Sequence, residues 1–555
     1  MNFLISIFLG WFVLSFLVIP NIHTIYSAFF YEGAFTLEPF QRLTSSERAM
    51  NSLRNSFILG PVLTVTVGIV GLSLVFLTEY FDIKGAKILR LGYMTTLIYS
   101  GIILVSGYMF LYGHNGYITN IIASIFPYFN TRWFQGFWAV LFVMTFACTS
   151  NHLLFLRTAM QSVDYQTIEA ARNMGASQWT ILRKVVLPVL TPSLMAVSIL
   201  TFLVGLNATS APLLVGGADF QTITPMILTF ARSRGSRDLA TILALLLGVA
   251  SLVLLTFLTR IEKKGNYLSV SKVKTTMVKQ KIVHPIANLL AHIYAYALFV
   301  IYTAPVVLIV LFSFTNSATI AQRRLSFASF TLENYMNLFR SANAYRPFLN
   351  SIIFSGLSAI GVAIFVIFAC RWIQKYNNRL TEILEYLMMI PWLLPSTLIA
   401  LGLVTTFSNS HWFMFNRILT GTSIIMLIAY MLVNMPFTTR MTKAAFFSLD
   451  PALEDAAKNL GASPFYTFIK IVLPTILPTV LAILALNFNA MLGDFDVSVF
   501  LYHPLNLPLG VHVRTLSDGQ ANADNAAVSL VYAVFMMVIS ATVLYLVYGR
   551  KAKKT

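Results

Sequence analysis

The chain has 555 residues, of which 57% are apolar and 10% are charged, and its mean hydropathy is +0.75. Soluble globular domains carry about 25% charged residues, so this composition excludes an ordinary soluble protein and indicates an integral membrane protein. The net charge of +18 does not require a nucleic-acid partner, because loops on the cytoplasmic side of membrane proteins collect Lys and Arg. We therefore expect a lipid bilayer around the chain and no nucleic acid.

The N-terminal stretch MNFLISIFLGWFVLSFLVIP is apolar over a spanning length. It lacks the basic residues and the small-residue cleavage site of a secretory signal peptide. We interpret it as a retained first span, and we expect the mature chain to begin at or near Met1.

Apolar runs long enough for a transmembrane helix recur along the whole chain, since about 20 helical residues cross the roughly 30 Å of bilayer hydrocarbon. The sequence predicts an all-α integral membrane protein with about twelve such helices. The predicted spans are approximately 3–19, 56–77, 91–111, 136–158, 191–215, 239–259, 286–313, 348–370, 383–405, 421–439, 475–498 and 526–548.

Basic residues are distributed unequally between alternate loops. If the N-terminus is cytoplasmic, the cytoplasmic loops and tail hold 25 of the 38 basic residues and every lysine. The positive-inside rule then predicts that both termini are cytoplasmic. The segment 260–285, RIEKKGNYLSVSKVKTTMVKQKIVHP, is basic and polar and lies on that side. We interpret it as a linker that joins a first half, 1–259, to a second half, 286–555.

The chain contains an internal repeat in a polar stretch between two apolar runs. The first copy, at 169–188, reads EAARNMGASQWTILRKVVLP, and the second, at 455–474, reads DAAKNLGASPFYTFIKIVLP. The two copies align with a constant offset of 286 and no gap. Each copy lies between the fourth and fifth predicted spans of its half, on the basic side. The two halves are therefore predicted to be homologous six-helix units.

The pattern of an acid, two alanines, a glycine six positions after the acid and a final Leu-Pro resembles the EAA loop of ABC importer permeases of the binding-protein-dependent type. The resemblance covers essentially the whole chain and implies the type I ABC importer permease fold, in the cytoplasmic membrane of a bacterium. It also implies that each loop forms a coupling helix that docks on a cytoplasmic ATPase subunit. The residues that it assigns to this role are Asp164, Glu169, Ala170, Ala171, Gly175, Asp450, Asp455, Ala456, Ala457 and Gly461.

The residues themselves are suited to a docking helix. Residues 164–174 can form a helix in which Glu169, near the start, favours the positive end of the helix dipole. The pair Ala170–Ala171 permits close approach by another surface. Gly175 is suited to a left-handed C-terminal cap, after which a second helix can begin at Ser177.

In the second copy, Asp450 is predicted to be the N-cap and Pro451 the first helical residue. The alternative is a pair of interfacial helices that only join spans, but this does not account for the spacing kept in both halves.

Two copies of the loop imply two copies of an ABC ATPase subunit. The sequence has no GxxxxGK[ST] phosphate loop, so we expect a transport subunit that is not an enzyme and holds no cofactor, with ATP-Mg bound by the partner subunits. We also expect no metal site, because the histidines in the loops are singly placed: His114, His411, His503 and His512.

The family resemblance further implies an extracytoplasmic solute-binding protein. Arginines on the extracytoplasmic side are candidates to pair with an acidic rim of that protein, although simple solvation explains them equally well. They include Arg42, Arg48, Arg232, Arg234, Arg237, Arg323, Arg324 and Arg346.

In this family the fifth span of each half lines the translocation path. Small polar and acidic residues occur late in these spans or just after them: Asn207, Thr209, Ser210, Asn487, Asn489, Asp494 and Asp496. Ionisable groups at membrane depth usually face a cavity or a partner, so Asp494 and Asp496 would favour a cationic substrate. The alternative is that both lie just outside the bilayer at a helix end.

Fused two-half permeases with two EAA loops most resemble ferric-iron permeases, so ferric iron is the expected substrate. Thiamine, 2-aminoethylphosphonate and polyamine import by the same mechanism are the alternatives. A secondary transporter is a different class that also has repeats, but it would place coupling carboxylates at mid-span, where this sequence has few.

Overall fold

The computed structural model describes residues 2–31, 34–97, 101–160, 163–233, 235–264, 278–322, 327–340, 342–376, 378–447, 449–516 and 523–546. Within these ranges, 10 helices are long and apolar enough to cross a membrane. Two further pairs of helices pass the same test together, which brings the number to 12. The predicted all-α architecture of about twelve spans is confirmed.

The six spans of the first half are Ser6–Phe29, Glu47–Tyr80, the pair Ala86–Leu97 and Gly101–Ile125, Phe137–Met160, Gln178–Leu206 and Arg237–Phe257. Those of the second half are Pro285–Ser313, Ala344–Tyr376, the pair Arg379–Leu393 and Ser396–Phe407, Ser423–Phe447, Pro464–Leu492 and Ala526–Leu544. Most of the linker, 265–277, lies outside the described residues, as do Arg234, Arg323 and Arg324.

Short elements connect the spans. The connecting α-helices are Glu38–Ser45, Tyr165–Asn173, Ser210–Val215, Ile223–Arg232, Ser317–Gln322, Glu333–Arg340, Pro451–Asn459, Ser498–Leu501 and Leu509–Leu516. Single 3-10 turns occupy Phe327–Ser329, Trp412–Met414 and Pro504–Asn506. The strands Phe30–Tyr31 and Ala34–Phe35 form an antiparallel pair. In the described residues, π-helical turns occupy Leu14–Val18, Phe76–Tyr80, Leu182–Val186 and Phe468–Val472.

The run 383–405, predicted as one continuous span, is a bent pair of helices in the structure. The helices Arg379–Leu393 and Ser396–Phe407 meet at 108°. Leu394 has extended backbone angles (φ −100°, ψ 140°) and precedes Pro395. A residue before proline is driven out of the helical region by the proline ring, and this explains the bend.

The first span packs against the second half of the chain. Phe12 lies 4.7 Å from Phe365 between ring centroids, and Phe16 lies 5.4 Å from Phe407. Trp11 donates its indole N–H to the carbonyl of Phe413 at 3.3 Å. Aromatic pairs of this kind contribute about 0.5–1.5 kcal/mol beyond the area that they bury.

The first span of the second half makes the reciprocal contact with the first half. Phe312 packs against Phe110 at 4.6 Å between centroids, and the hydroxyl of Tyr93 donates to the carbonyl of Ala295 at 2.8 Å. Each half thus contributes its first helix to the core of the other. The linker separates the two repeats in sequence, whereas the packed cores combine residues of both.

Within the first half, the second and fifth spans cross at two glycines. A Cβ on Gly205 would lie 2.8 Å from the Cα of Gly60, which is too close for a real contact. Small residues let helix backbones approach closely in membranes, where packing replaces the hydrophobic driving force. This crossing connects the fifth span, whose first residues belong to the first EAA repeat, to the second span.

Candidate functional site

The first EAA loop folds as a short helix with a capping group at each end. Asp164 is the N-cap of Tyr165–Asn173, and its side chain accepts from the N–H of Gln166 at 3.1 Å. At the other end, Gly175 has φ +82° and donates its N–H to the carbonyl of Arg172 at 2.9 Å. The cap geometry predicted from the sequence is present.

The second loop repeats this geometry. Asp450 caps Pro451–Asn459 by accepting from the N–H of Ala452 at 3.0 Å, and Gly461 has φ +81°. In both copies the next residue closes the cap with a 3.0 Å bond to a carbonyl five residues earlier. A serine then caps each following helix, Ser177 in the first copy and Ser463 in the second.

The acid and the alanines take different positions from those expected. Glu169 lies at the middle of Tyr165–Asn173 and not in its first turn, so it gains little from the helix dipole. Glu169 and Ala170 are exposed, whereas Ala171 is buried against the core of the bundle. Only the first alanine of the pair is therefore open to a partner.

The second copy has the same arrangement, with Asp455 and Ala456 exposed and Ala457 buried. The corrected interpretation is that each loop presents its acid and one alanine, while the other alanine anchors the helix to the bundle.

Large apolar side chains project from both loops. Met174 and Leu460, which precede the two glycines, are 81% and 88% exposed. Trp179 and Phe465, five positions later, are 67% and 60% exposed. Sequence reasoning missed these four residues, although each pair keeps the offset of 286. Exposed apolar residues at matching places indicate an interaction surface on each loop.

The two loops are held to the bundle by different contacts. In the second, Arg371 forms a bidentate pair with Glu454, with distances of 2.7 and 2.6 Å between nitrogen and oxygen. In the first, Arg172 donates to the side chain of Gln280, and Gln178 donates to the carbonyl of Lys281 at 2.6 Å.

The C-terminal end of the linker therefore braces the first loop. Gln280 is itself fixed, because its N–H donates to the carbonyl of Tyr80 at 2.8 Å. Burial lowers the pKa of the neighbouring Lys279, whose ammonium donates to the carbonyl of Thr78 at 2.7 Å.

The residues proposed for the translocation path do not form one cluster. Asn487 is buried and donates to the hydroxyl of Thr438 at 2.8 Å. Asn489 donates in a different direction, to the carbonyl of Ser540 at 3.3 Å. Asn207 donates to the carbonyl of its own helix at Leu203. Asn487 is buried and the other two are half-buried, and the oxygen of each amide has no hydrogen-bond partner among the described residues.

Thr209 and Asp496, in contrast, lie beside each other although they belong to different halves. Asp494 accepts from the N–H groups of Val497 and Ser498 at 3.3 and 3.0 Å, and so caps the helix Ser498–Leu501. One oxygen of Asp496 is buried and has no hydrogen-bond partner within the described part of the chain. Burial first, and then the charge of Asp494, raises the pKa of Asp496 to about 7.

Ser210 occupies the position equivalent to Asp496 in the first half, and its hydroxyl lies beside Gly101. Asp494 is committed to the N-terminal end of the helix Ser498–Leu501, where its carboxylate accepts from two backbone N–H groups. Asp496 is the acidic group with unused bonding capacity at the junction of the halves.

Residues 11–264 and 361–550 match the family described as "Binding-protein-dependent transport system inner membrane component". The chain belongs to this family. The match falls in both halves, so this inner membrane component carries two copies of the family fold. Because the chain belongs to this family, the alternative of a secondary transporter is rejected.

Two relatives match this inner membrane component over nearly its whole length. A protein of Sinorhizobium fredii named as a probable ABC transporter permease is 38% identical over 542 residues, covering 97% of this chain and 94% of that protein. The ferric transport system permease protein of Actinobacillus pleuropneumoniae is 23% identical, covering 95% and 76%. A Salmonella typhi protein named for 2-aminoethylphosphonate transport is 25% identical and covers 42% of this chain and 89% of that protein.

Proposed function

We propose that this ABC importer permease carries ferric iron, delivered by an extracytoplasmic binding protein and driven by ATPase subunits that bind ATP-Mg. The substrate assignment rests on how much of this chain each relative of named substrate covers. The relative named for ferric transport corresponds to both halves, over 95% of this chain, whereas the relative named for 2-aminoethylphosphonate transport corresponds to 42%. In this proposal the permease is not an enzyme and has no ATP site.

The two EAA loops are proposed to be docking helices for two ATPase subunits. This proposal is supported by two features that occur together in each loop, a glycine cap and exposed apolar side chains. Met174 and Leu460 stand directly before the capping glycines, where their position is fixed by the turn. A groove lined by Ala457, Leu460 and Tyr466, among other residues, is open beside the second loop. An exposed apolar side chain such as Leu460 at the edge of an open groove is suited to binding a protein partner.

The orientation in the membrane is also a proposal. The linker end contacts the first EAA loop through Gln280 and Lys281, which supports placing both on the same, cytoplasmic, side. Both termini would then be cytoplasmic. Arg48, Arg232, Arg237 and Arg346 are exposed and are the candidates to meet the binding protein.

Arg42 is less available, because its guanidinium lies 2.6 Å from the carboxylate of Asp238. The path itself is proposed to pass between the halves, beside Thr209 and Asp496, where an unpaired carboxylate oxygen favours a cationic cargo.

The test is transport by the reconstituted complex. The permease, its ATPase and its binding protein are assembled in proteoliposomes, and ATP-dependent uptake of radioactive ferric iron is measured. We expect uptake of iron that excess thiamine, 2-aminoethylphosphonate or a polyamine does not reduce. Uptake of one of these compounds in place of iron would reject the ferric assignment, while the assignment as an ABC importer permease would stand.

A further inference from the structure

Two adjacent residues of the second span clamp the chain that follows the fifth span. Asn55 donates its amide to the carbonyl of Gln221 at 3.0 Å. The hydroxyl of Ser56 accepts from the N–H of Ile223 at 2.9 Å. We call Asn55 and Ser56 the first clamp.

The second half contains the same pair of bonds. Asn350 donates its amide to the carbonyl of Leu507 at 3.2 Å, and the hydroxyl of Ser351 accepts from the N–H of Leu509 at 2.8 Å. The bonded backbone groups keep the offset of 286 found in the EAA loops, from Gln221 to Leu507 and from Ile223 to Leu509. We call Asn350 and Ser351 the second clamp.

Each clamp satisfies backbone groups that the helix itself leaves unpaired. Ile223 and Leu509 begin the helices Ile223–Arg232 and Leu509–Leu516. The first N–H groups of a helix have no partner within it, so a serine from another helix acts here as the cap. Ser56 and Ser351 are 0% and 3% exposed, so water cannot readily replace a lost bond.

The clamped segments are loops that meet at the junction of the halves. One loop, 207–222, begins at the end of the fifth span, and the other, 493–508, begins at the end of the eleventh. Thr209 of one loop lies beside Asp496 of the other. Apolar residues of both loops, including Ala211 and Phe495, belong to one buried cluster. Each loop is thus fixed by a span at one end and by a clamp at the other.

We propose that the two clamps are positioning residues that press these loops together and so hold the extracytoplasmic end of the path closed. This assignment rests on the proposed function as an importer, but not on the identity of the cargo. It predicts that loss of a clamp separates the loops without unfolding the bundle.

The separation can be measured with a disulfide between the loops. Thr209→Cys and Asp496→Cys are introduced together in a chain whose own cysteines are replaced by Cys148→Ala and Cys370→Ala. Mild oxidation of the full complex in nanodiscs should form the bond. Failure to form it would overturn the proposal, because the loops would not meet.

Clamp variants are then added to this chain. Ser56→Ala, Ser351→Ala and Asn55→Asp should each slow disulfide formation about tenfold, as expected for loss of a hydrogen bond to a buried backbone group. Asn55→Asp keeps the side-chain volume but removes the amide donor. Ser56→Thr keeps the hydroxyl that Ser56→Ala removes, so disulfide formation should be as fast as with the intact clamp.

Each clamp has a matched control on its own span. Ser52 is buried and donates to its own helix, at Ala49, and Ser355 is buried with no hydrogen-bond partner among the residues that the structure describes. Ser52→Ala and Ser355→Ala should leave the rate unchanged. Equal rates in clamp and control variants would refute the positioning role.

The same variants are assayed for ATPase activity without the binding protein. Clamp variants should raise this basal activity severalfold, because the closed state no longer restrains the ATPase. Basal activity that stays at the control level would also contradict the proposal. The disulfide measurement uses no substrate, so an error in the ferric assignment would leave its result intact, and the two failures are distinguishable.

Discussion

Replacing the capping glycine of an EAA loop tests whether the loop transmits force to the ATPase. Gly175 and Gly461 have φ of +82° and +81°, and no atom lies within 4 Å of where a Cβ would stand. The Cβ added by Gly175→Val or Gly461→Val therefore meets no described neighbour, and the main cost is conformational. A left-handed backbone costs a non-glycine residue about 1–2 kcal/mol, and more when it is β-branched.

A penalty of this size shifts the balance between the capped and uncapped loop by a factor of about 5–30. The spans are unaffected, so membrane insertion and expression should match the wild type. ATPase activity stimulated by the loaded binding protein should fall in each variant and be lost when both glycines are replaced. The assay is phosphate release by the complex in nanodiscs.

The chain offers a control with the same local penalty elsewhere. Gly421 has φ +81°, and again nothing lies within 4 Å of its Cβ position. It lies before the tenth span, at the end opposite to the EAA loop. Gly421→Val should leave stimulated activity near the wild-type level. Normal stimulation in both loop variants, or an equal loss in Gly421→Val, would refute the coupling argument.

Three further predictions concern the loops and the path. The purified complex should contain two ATPase subunits per chain, and native mass spectrometry that gives one would contradict two docking sites. Arg371→Ala should lower stimulated ATPase activity severalfold by releasing Glu454 of the second loop from the eighth span, and the exchange Arg371→Glu with Glu454→Arg should restore part of it. Because the pKa of Asp496 is raised to about 7, uptake of a cationic cargo should fall as the pH decreases from 8 to 6 and the carboxylate becomes neutral. Asp496→Asn should have low uptake that no longer depends on pH, and a wild-type profile in this variant would remove Asp496 from the path.

The sequence predicts the spans and the EAA loops well because these features are local. Apolar runs of spanning length and the repeat with offset 286 depend on residues that are neighbours in the chain. The caps at Asp164, Gly175 and Asp450 are also local, since a single side chain or φ angle defines each.

Features that depend on contacts between distant residues were not predicted. Ala170 and Ala171 are equivalent in sequence, and only packing against the bundle distinguishes the exposed one from the buried one. The directions in which the polar residues proposed for the path point also depend on packing, and the sequence did not predict them. Asn487 and Asn489 are two positions apart, and two residues in a helix point in nearly opposite directions. Asp496, in contrast, lies beside Thr209 of the other half.

The exchange of first helices has a consequence for how the chain is made. During synthesis the first span enters the membrane before its partners Phe365 and Phe407 have been translated. Its aromatic face then meets lipid until the eighth and ninth spans, which carry these partners, have been inserted. The final packing step must therefore wait for the C-terminal half, and a ribosome stalled in the linker would leave a first half without its companion helix. Joining both halves in one polypeptide ensures that the waiting helix finds its partner on the same chain.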